Sequence, residues 1–476
     1  MKKNSLMIKV LLVLLTLQAC DSTETPYYPP PVAKTLPVDF YLTTPNQSNL
    51  VTPQQNAVTA MTQKQNFTIN VNPNTTYQSM DGFGFSLTGG SAFHINNMSA
   101  AARATLLNDI FGPNGLHSSY LRISIGSSDL DTSVFSYSNV PAGQTDINLN
   151  GFSLTPDLTH LIPVLKQIIA INPSIKIMAT PWSAPVWMKT NQSSVGGELN
   201  PQYYSVYANY FVKYVQEMAV NGITIDAITV QNEPENPFNN PSMLMSANQQ
   251  IDFIANHLGP AFANANINTK IIAFGHNPDS YNYPITVLNN PVARNFIAGS
   301  SFHLYAGQIS NLSLVRNAHP DKNIYFSEQW IESPGDFPSD LRWHTRELIV
   351  GATRNWSKTV LEWNLAADSN NGPFTPGGCT KCLGAVTITG NTVEKNSAYY
   401  IIALASKFVK PGSVRIESNF ASQLPNVAFK TPTGEIVVIV LNNTDAQQNF
   451  NINVPSNPIS TRLSAGSVGT FVWTQN

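Results

Sequence analysis

Between residues 77 and 408 the chain alternates short apolar runs with longer stretches of helical spacing. YLRISI at 120–125 reads as a strand. Residues 158–171 place apolar side chains at 158, 161, 162, 165, 168 and 169, the spacing of one helix face. The same alternation predicts strands at 175–180, 225–230, 271–274, 297–303, 324–326 and 359–363, and helices at 203–219, 251–258 and 343–353. Repeated strand–helix units with short apolar strands require a parallel sheet covered by helices. About eight such units favour a closed (β/α)8 TIM barrel over an open sheet.

Past residue 409 the helical spacing stops. Apolar runs at 414–417, 427–430, 436–441, 449–454 and 469–473 are short, and Gly, Pro and Asn separate them. That pattern predicts an antiparallel β-sandwich over 409–476. VDFYLT at 38–43 and FTINV at 67–71 also read as strands, and a barrel has no place for them. Residues 38–76 are therefore expected to join the sandwich. The fold class is α/β: a barrel at 77–408 with an accessory sandwich formed from both chain ends.

Composition narrows the partners. Apolar residues make up 42% of the 476, enough for a large core, while charged residues are only 11%, against about 25% in an ordinary domain. Net charge is −2 and no basic face is evident, which argues against nucleic acid. Amides, hydroxyls, Gly and Pro must supply most of the polar surface, as suits a protein handling neutral ligands outside the cytoplasm.

At the N-terminus, Lys2 and Lys3 precede an apolar run at 10–17 and then Gln18-Ala19-Cys20. This reads as a secretory signal; the run is too short for a membrane span of about 20 residues. A small residue before a Cys resembles the bacterial lipoprotein box. Residues 1–20 are therefore expected to be a signal ending in lipidation at Cys20, with simple secretion as the alternative. Residues 21–37, rich in Pro and Thr, read as a disordered tether. The expected location is extracytoplasmic, on the periplasmic or outer face, touching membrane only through the lipid. Cys379 and Cys382 form one CxxC pair. A local disulfide fits an oxidising compartment; a redox motif or two free thiols are the alternatives, and one pair cannot complete a four-ligand zinc site.

Barrel enzymes place their chemistry at the C-terminal ends of strands. Those ends here carry Asp129, Trp182, Asn232, Glu233, His276, His303, Tyr305, Glu328 and Asn364. No phosphate loop and no nucleophile elbow is present, and two separated histidines do not argue for a metal. Two glutamates on different strands, among aromatics, fit glycoside hydrolysis, which needs one acid and one carboxylate at an acetal.

ITVQNEPEN and IYFSEQW resemble the fourth- and seventh-strand segments of clan A glycosidases. DGFGFSLTGGSAF, LRISIGSSDLD, MATPWSAPVWMKT, SFHLYAG and EWNLAADSNNGP narrow the resemblance to glycoside hydrolase family 30, the glucosylceramidase family. The resemblance implies that Glu233 is the general acid/base and Glu328 the nucleophile of a retaining enzyme, with carboxyls about 5–5.5 Å apart. The Glu328 charge would then raise the pKa of Glu233. Among the substrate-contacting set, Asn232 would bind the sugar 2-hydroxyl, Tyr305 would contact the nucleophile, and Trp182 and Trp363 would wall the glycone subsite. Arg122 resembles the second-strand Arg that keeps the nucleophile ionised. Gly89 stands where glucosylceramidases carry an Asp, which implies one carboxylate fewer for the glycone. The leading expectation is a glucosylceramidase-like β-glucosidase; the alternatives are an endo-β-1,6-glucanase and a lipid-anchored glycan-binding protein without catalysis. A β-glucoside or β-glucan is the expected partner, and the chemistry calls for no metal or organic cofactor.

Overall fold

A computed structural model describes residues 37–455 and 457–474. The expected signal, Cys20 and nearly all of the tether lie outside the described residues.

Eight parallel strands close into a barrel: β1 (Gly82–Ser86), β2 (Tyr120–Ile125), β3 (Lys176–Pro181), β4 (Ala227–Thr229), β5 (Lys270–His276), β6 (Ile297–His303), β7 (Asn323–Glu328) and β8 (Ser357–Asn364). Closure comes from β8 pairing with β1, Thr359 opposite Gly82. Strand side chains alternate between faces, so each strand offers the barrel interior every second residue. One interior layer is apolar: Tyr120, Met178, Ala227, Ile272, Tyr325 and Leu361 form a buried cluster. Two residues further along β2, β3 and β4 the same face carries Arg122, Thr180 and Thr229. These are joined by hydrogen bonds of 3.2 Å from Arg122 Nε to Thr180 and 2.8 Å from Thr229 to Thr180. The barrel is thus plugged by hydrocarbon and turns polar towards its C-terminal mouth.

Helix boundaries follow local chemistry more closely than apolar spacing. The expected helix at 158–171 is two, Thr155–Leu158 and Leu161–Ile171. Pro163 has no amide proton, so it sits best in a first turn, and the longer helix restarts just ahead of it. The helix expected from 251 begins at Ala247, because Ser246 and Gln249 form a capping box. The helix expected at 343–353 begins at Phe337 and continues from Thr345 to Ala352 as a π-turn segment. Among the described residues no helix is long and apolar enough to cross a membrane.

The sandwich draws on both chain ends. Val38–Thr43 lies beside Val468–Trp473, antiparallel in full register. The long strand Phe67–Ser79 pairs antiparallel with Val414–Ser418 and parallel with Gln448–Asn453, so it runs through both halves. Phe40, Ile69, Ile416, Val438, Phe450 and Phe471 pack between the layers. Ile459–Leu463 is a further strand, beside Gln448–Asn453. Its sequence, ISTRL, alternates inward Ile, Thr and Leu with outward Ser and Arg, a run too short and polar to stand out.

Candidate active site

The two glutamates end different strands and meet at the mouth. β4 is shorter than expected, Ala227–Thr229, because the polar residues after it leave the ladder. The Asn232 amide donates to Pro181 O at 2.8 Å and the Glu233 amide to Gly275 O at 2.9 Å. Glu233 adopts φ 44°, left-handed backbone that a non-glycine residue rarely holds. Gly275, its acceptor, has φ 95°, which glycine allows freely. Glu328 is the last residue of β7. Two glutamines fix these ends: Gln231 Nε2 donates to Trp182 O at 2.7 Å, and Gln329 Nε2 to Leu304 O at 2.6 Å. Gln231 and Gln329 are thus stitches between strand ends.

Arg122 is almost wholly buried. Its guanidinium pairs with Glu328 Oε2 and donates to Asn232 Oδ1 at 2.6 Å. It lies 4.8 Å from the Trp182 ring centroid. It is 1% exposed and is not among the residues lining the cavity, so it sits beneath the pocket against Glu328 and Asn232. Asn232 gives its carbonyl to Arg122, which leaves the side-chain NH2 as the group for a ligand. Tyr305 donates to Glu328 Oε1 at 2.9 Å.

His303 was passed over in sequence, yet the barrel closes it between the two glutamates. Its Nδ1 lies 3.1 Å from Glu233 Oε1 and 3.5 Å from Glu328 Oε1. Asn236 and Asn239 donate to Glu233 Oε2 at 2.7 and 3.2 Å. Burial pushes the Glu233 carboxyl up, but the hydrogen bond and charge of His303, with His276 and Asn236, outweigh it and hold the group at about 2. The expectation that Glu328 raises this pKa is therefore corrected: the nearest strong influence on Glu233 is an imidazole. Glu233, His303 and Glu328 offer donor atoms within 4.8 Å of one another, a spacing that could hold a cation. In the structure those atoms serve the Arg122, His303, Tyr305 and asparagine contacts. Glu235 lies outside the cavity and faces His276 at 3.6 Å.

A cavity of about 240 Å³ opens over this pair, lined by Asp129, Trp182, Glu233, Asn239, Tyr305, Glu328, Trp330, Trp363, Cys379 and Cys382. Trp182 and Trp363 stack on each other with centroids 5.3 Å apart. Cys379 and Cys382 are joined in a disulfide. Asp129 is the second residue missed in sequence. It follows β2 and is buried, and among the described residues no cation pairs with it. Burial, then the charge of Glu328, pushes its carboxyl up to about 7. At Gly89 a Cβ would stand 1.5 Å from Asp131 Oδ1, so there is no room for a side chain. Asp131 fills that space, bound to the Ser128 amide at 2.7 Å, and Asp129 brings the third carboxylate to the cavity.

Known proteins can be set against this geometry. Residues 80–409 match the glycosyl hydrolase family 30 TIM-barrel domain, and residues 412–471 match the family 30 beta sandwich domain. An endo-1,6-beta-D-glucanase of Neurospora crassa is 36% identical over 73% of this chain and 74% of its own length. The lysosomal acid glucosylceramidase of Mus musculus is 27% identical over 85% of this chain and 83% of its own. A solved endo-beta1,6-glucanase superposes with TM-score 0.86 and 35% identity, over 92% of this chain and all of that one. With both domain models matched in order around a mouth that carries two glutamates, the chain belongs to glycoside hydrolase family 30 and is a glycoside hydrolase.

Proposed function

We propose that this enzyme is an endo-β-1,6-glucanase that cleaves by retaining double displacement, with Glu328 as nucleophile and Glu233 as acid/base. The observation that carries the mechanism is the separation of the pair: one oxygen of each lies within 4.8 Å of the other. Inverting enzymes space their carboxyls about 6.5–9.5 Å apart to admit a water. Arg122 and Tyr305 both serve Glu328. A guanidinium does not give up its proton, so Arg122 is a fixed positive partner for the carboxylate that attacks the anomeric carbon. Glu233 Oε1 and His303 Nδ1 lie 3.1 Å apart, close enough to pass a proton between them. That pair protonates the leaving oxygen, and once Glu328 is glycosylated the freed Glu233 carboxylate takes a proton from water. The Asn232 amide meets the 2-hydroxyl, and Asp129 accepts from other hydroxyls of the glycone by charge-assisted hydrogen bonds.

The substrate assignment rests on the relatives. Proteins named as endo-1,6-β-glucanases stand at 36% and 35% identity, a named glucosylceramidase at 27%. This favours β-1,6-glucan over the glucosylceramidase-like β-glucosidase expected at first. Purified enzyme incubated with β-1,6-glucan, β-1,3-glucan, glucosylceramide and an aryl β-glucoside tests it. The expected result is an oligosaccharide ladder from β-1,6-glucan, with the β-anomer first in proton NMR. Glucose alone, released from the lipid or the aryl glucoside, would return the assignment to an exo-acting glucosidase; an α-anomer would overturn retention.

A further inference from the structure

The segment at 372–383 is no part of the barrel frame, yet hydrogen bonds tie it to four strand ends. The Thr375 amide donates to Asp129 O at 2.9 Å, beyond β2. Thr375 Oγ1 donates to Asn240 O at 2.5 Å, and Asn240 Nδ2 returns to Pro376 O at 3.0 Å, beyond β4. The Ser333 amide donates to Lys381 O, and Cys382–Leu383 pairs antiparallel with Ile331–Glu332, beyond β7. Asn364 Nδ2 at the end of β8 reaches Cys382 O at 3.4 Å. At the centre the Cys379 amide donates to Asp129 Oδ2 at 3.3 Å. Both cysteines line the cavity beside Trp182 and Trp363.

We infer that the Cys379–Cys382 bridge is a positioning element of the glycone subsite: it holds the Cys379 amide and the cavity wall so that the Asp129 carboxylate stays aimed at the sugar. The inference rests on the glucan-cleaving assignment above for what Asp129 binds. Its physical basis is a conflict of forces on Asp129. Glu328 and Glu233 repel that carboxylate, and among the described residues no cationic side chain lies within ion-pair distance of it. Few groups oppose the repulsion, and the Cys379 amide is the one supplied by another segment. The chain carrying it is Pro376-Gly377-Gly378-Cys379, and two successive glycines give that run more backbone freedom than any other pair would. Without the covalent closure the amide donor is placed only by the hydrogen bonds of Thr375 on one side and Cys382 on the other, with the glycine pair between them. Asp129 then turns away or takes a proton, and one charge-assisted bond to the glycone is lost. The backbone ends carrying the glutamates and the Glu328 carboxylate keep their own anchors in Gln231, Gln329 and Arg122. Binding should suffer and bond cleavage should not.

The test uses the full chain in four forms: wild type, Cys379→Ala/Cys382→Ala, Asp129→Asn, and the triple variant. Affinity for 1-deoxynojirimycin, a glucose-shaped iminosugar, is measured by calorimetry; kcat and KM are measured on β-1,6-gluco-oligosaccharides. We expect Kd and KM to rise about tenfold without the bridge, the loss of one hydrogen bond to a charged group, while kcat stays within about threefold. The triple variant should bind no worse than Asp129→Asn, since both changes remove the same interaction. Reducing the wild type with a phosphine should reproduce the weaker binding, and reoxidation should restore it, which separates the effect from damage by substitution. Unchanged Kd and KM in the bridge-less enzyme, or losses that multiply in the triple variant, would overturn the inference and leave the disulfide a purely structural staple. If wild type ignores β-1,6-glucan but binds the iminosugar more tightly with the bridge than without, the glucanase assignment fails and the positioning role stands. No iminosugar binding by oxidised wild type would overturn the positioning role as well.

Discussion

The ends of β7 and β4 hold the same side chain in opposite company. Glu328 faces a guanidinium and a phenol, both donors that keep their protons through the physiological range. Glu233 faces an imidazole and two asparagines, from a left-handed backbone position. A nucleophile must stay charged, whereas an acid/base must gain and lose one proton each cycle. Arginine serves the first need because it does not titrate, while an imidazole can both donate and accept a hydrogen bond. In the proposed mechanism the two glutamates become different reagents through their neighbours, several of which come from other strands.

The largest expected effect is at β7. Glu328→Gln keeps shape and removes the attacking charge, so turnover of β-1,6-glucan should fall about a thousandfold or more in initial-rate assays. A variant that retains a tenth of the rate would mean that the charge at the end of β7 is not the nucleophile. At β4 the loss should depend on the leaving group. Glu233→Gln should cost about 10²–10⁴ in kcat on glucan and far less in the glycosylation step on an aryl glucoside, whose phenolate departs without an acid. Equal losses on the two substrates would erase the proposed difference between the strand ends.

Asp129 sharpens the comparison as a third carboxylate with no cation. Its folded pKa of about 7 stands above an unfolded value of about 3.9. The folded state therefore binds the extra proton between those values, and stability is lost as pH rises from about 4 through about 7. Asp129→Asn should raise the unfolding midpoint at pH 8, with a ceiling of about 4 kcal/mol, and the gain should vanish near pH 4. The same change should weaken sugar binding. Thermal unfolding at the two pH values measures this; a variant no more stable at pH 8 than at pH 4, relative to wild type, would show that the carboxylate is well accommodated.

The smallest effect concerns His303. Its hydrogen bond and charge oppose the upward push of burial and hold Glu233 down. His303→Asn removes that charge, so the Glu233 carboxyl pKa should rise by about a unit or more in a 13C NMR titration referenced against Glu233→Gln. A lower or unmoved value would place the control of Glu233 with Asn236 and Asn239 instead.

Particular elements show how far the chain could be read directly. YLRISI was legible to the residue, because β2 is apolar and flanked by polar turns. The positions of Glu233 and Glu328 were legible because each follows an apolar run in a chain that uses charge sparingly. β4 was overextended, since Val230 looks like strand although the turn to Glu233 has begun. Asp129 and His303 were not legible as partners. Nothing near Asp129 in sequence announces Cys379, which lies 250 positions away, nor does anything near His303 announce Glu233, 70 positions earlier.

The sequence by itself determined the periodicity that makes strands and helices, and it determined which residue types stand at the strand ends. Those properties are local: each depends on side chains a few positions apart, and burial rewards the pattern wherever the chain closes. Only the tertiary structure decided which charged and polar groups each carboxylate meets. Arg122 reaches Glu328 across 206 positions and Asn232 across 110. Electrostatic interaction depends on separation in space and on the water excluded between groups, and both are set only when the eight strands close around one axis.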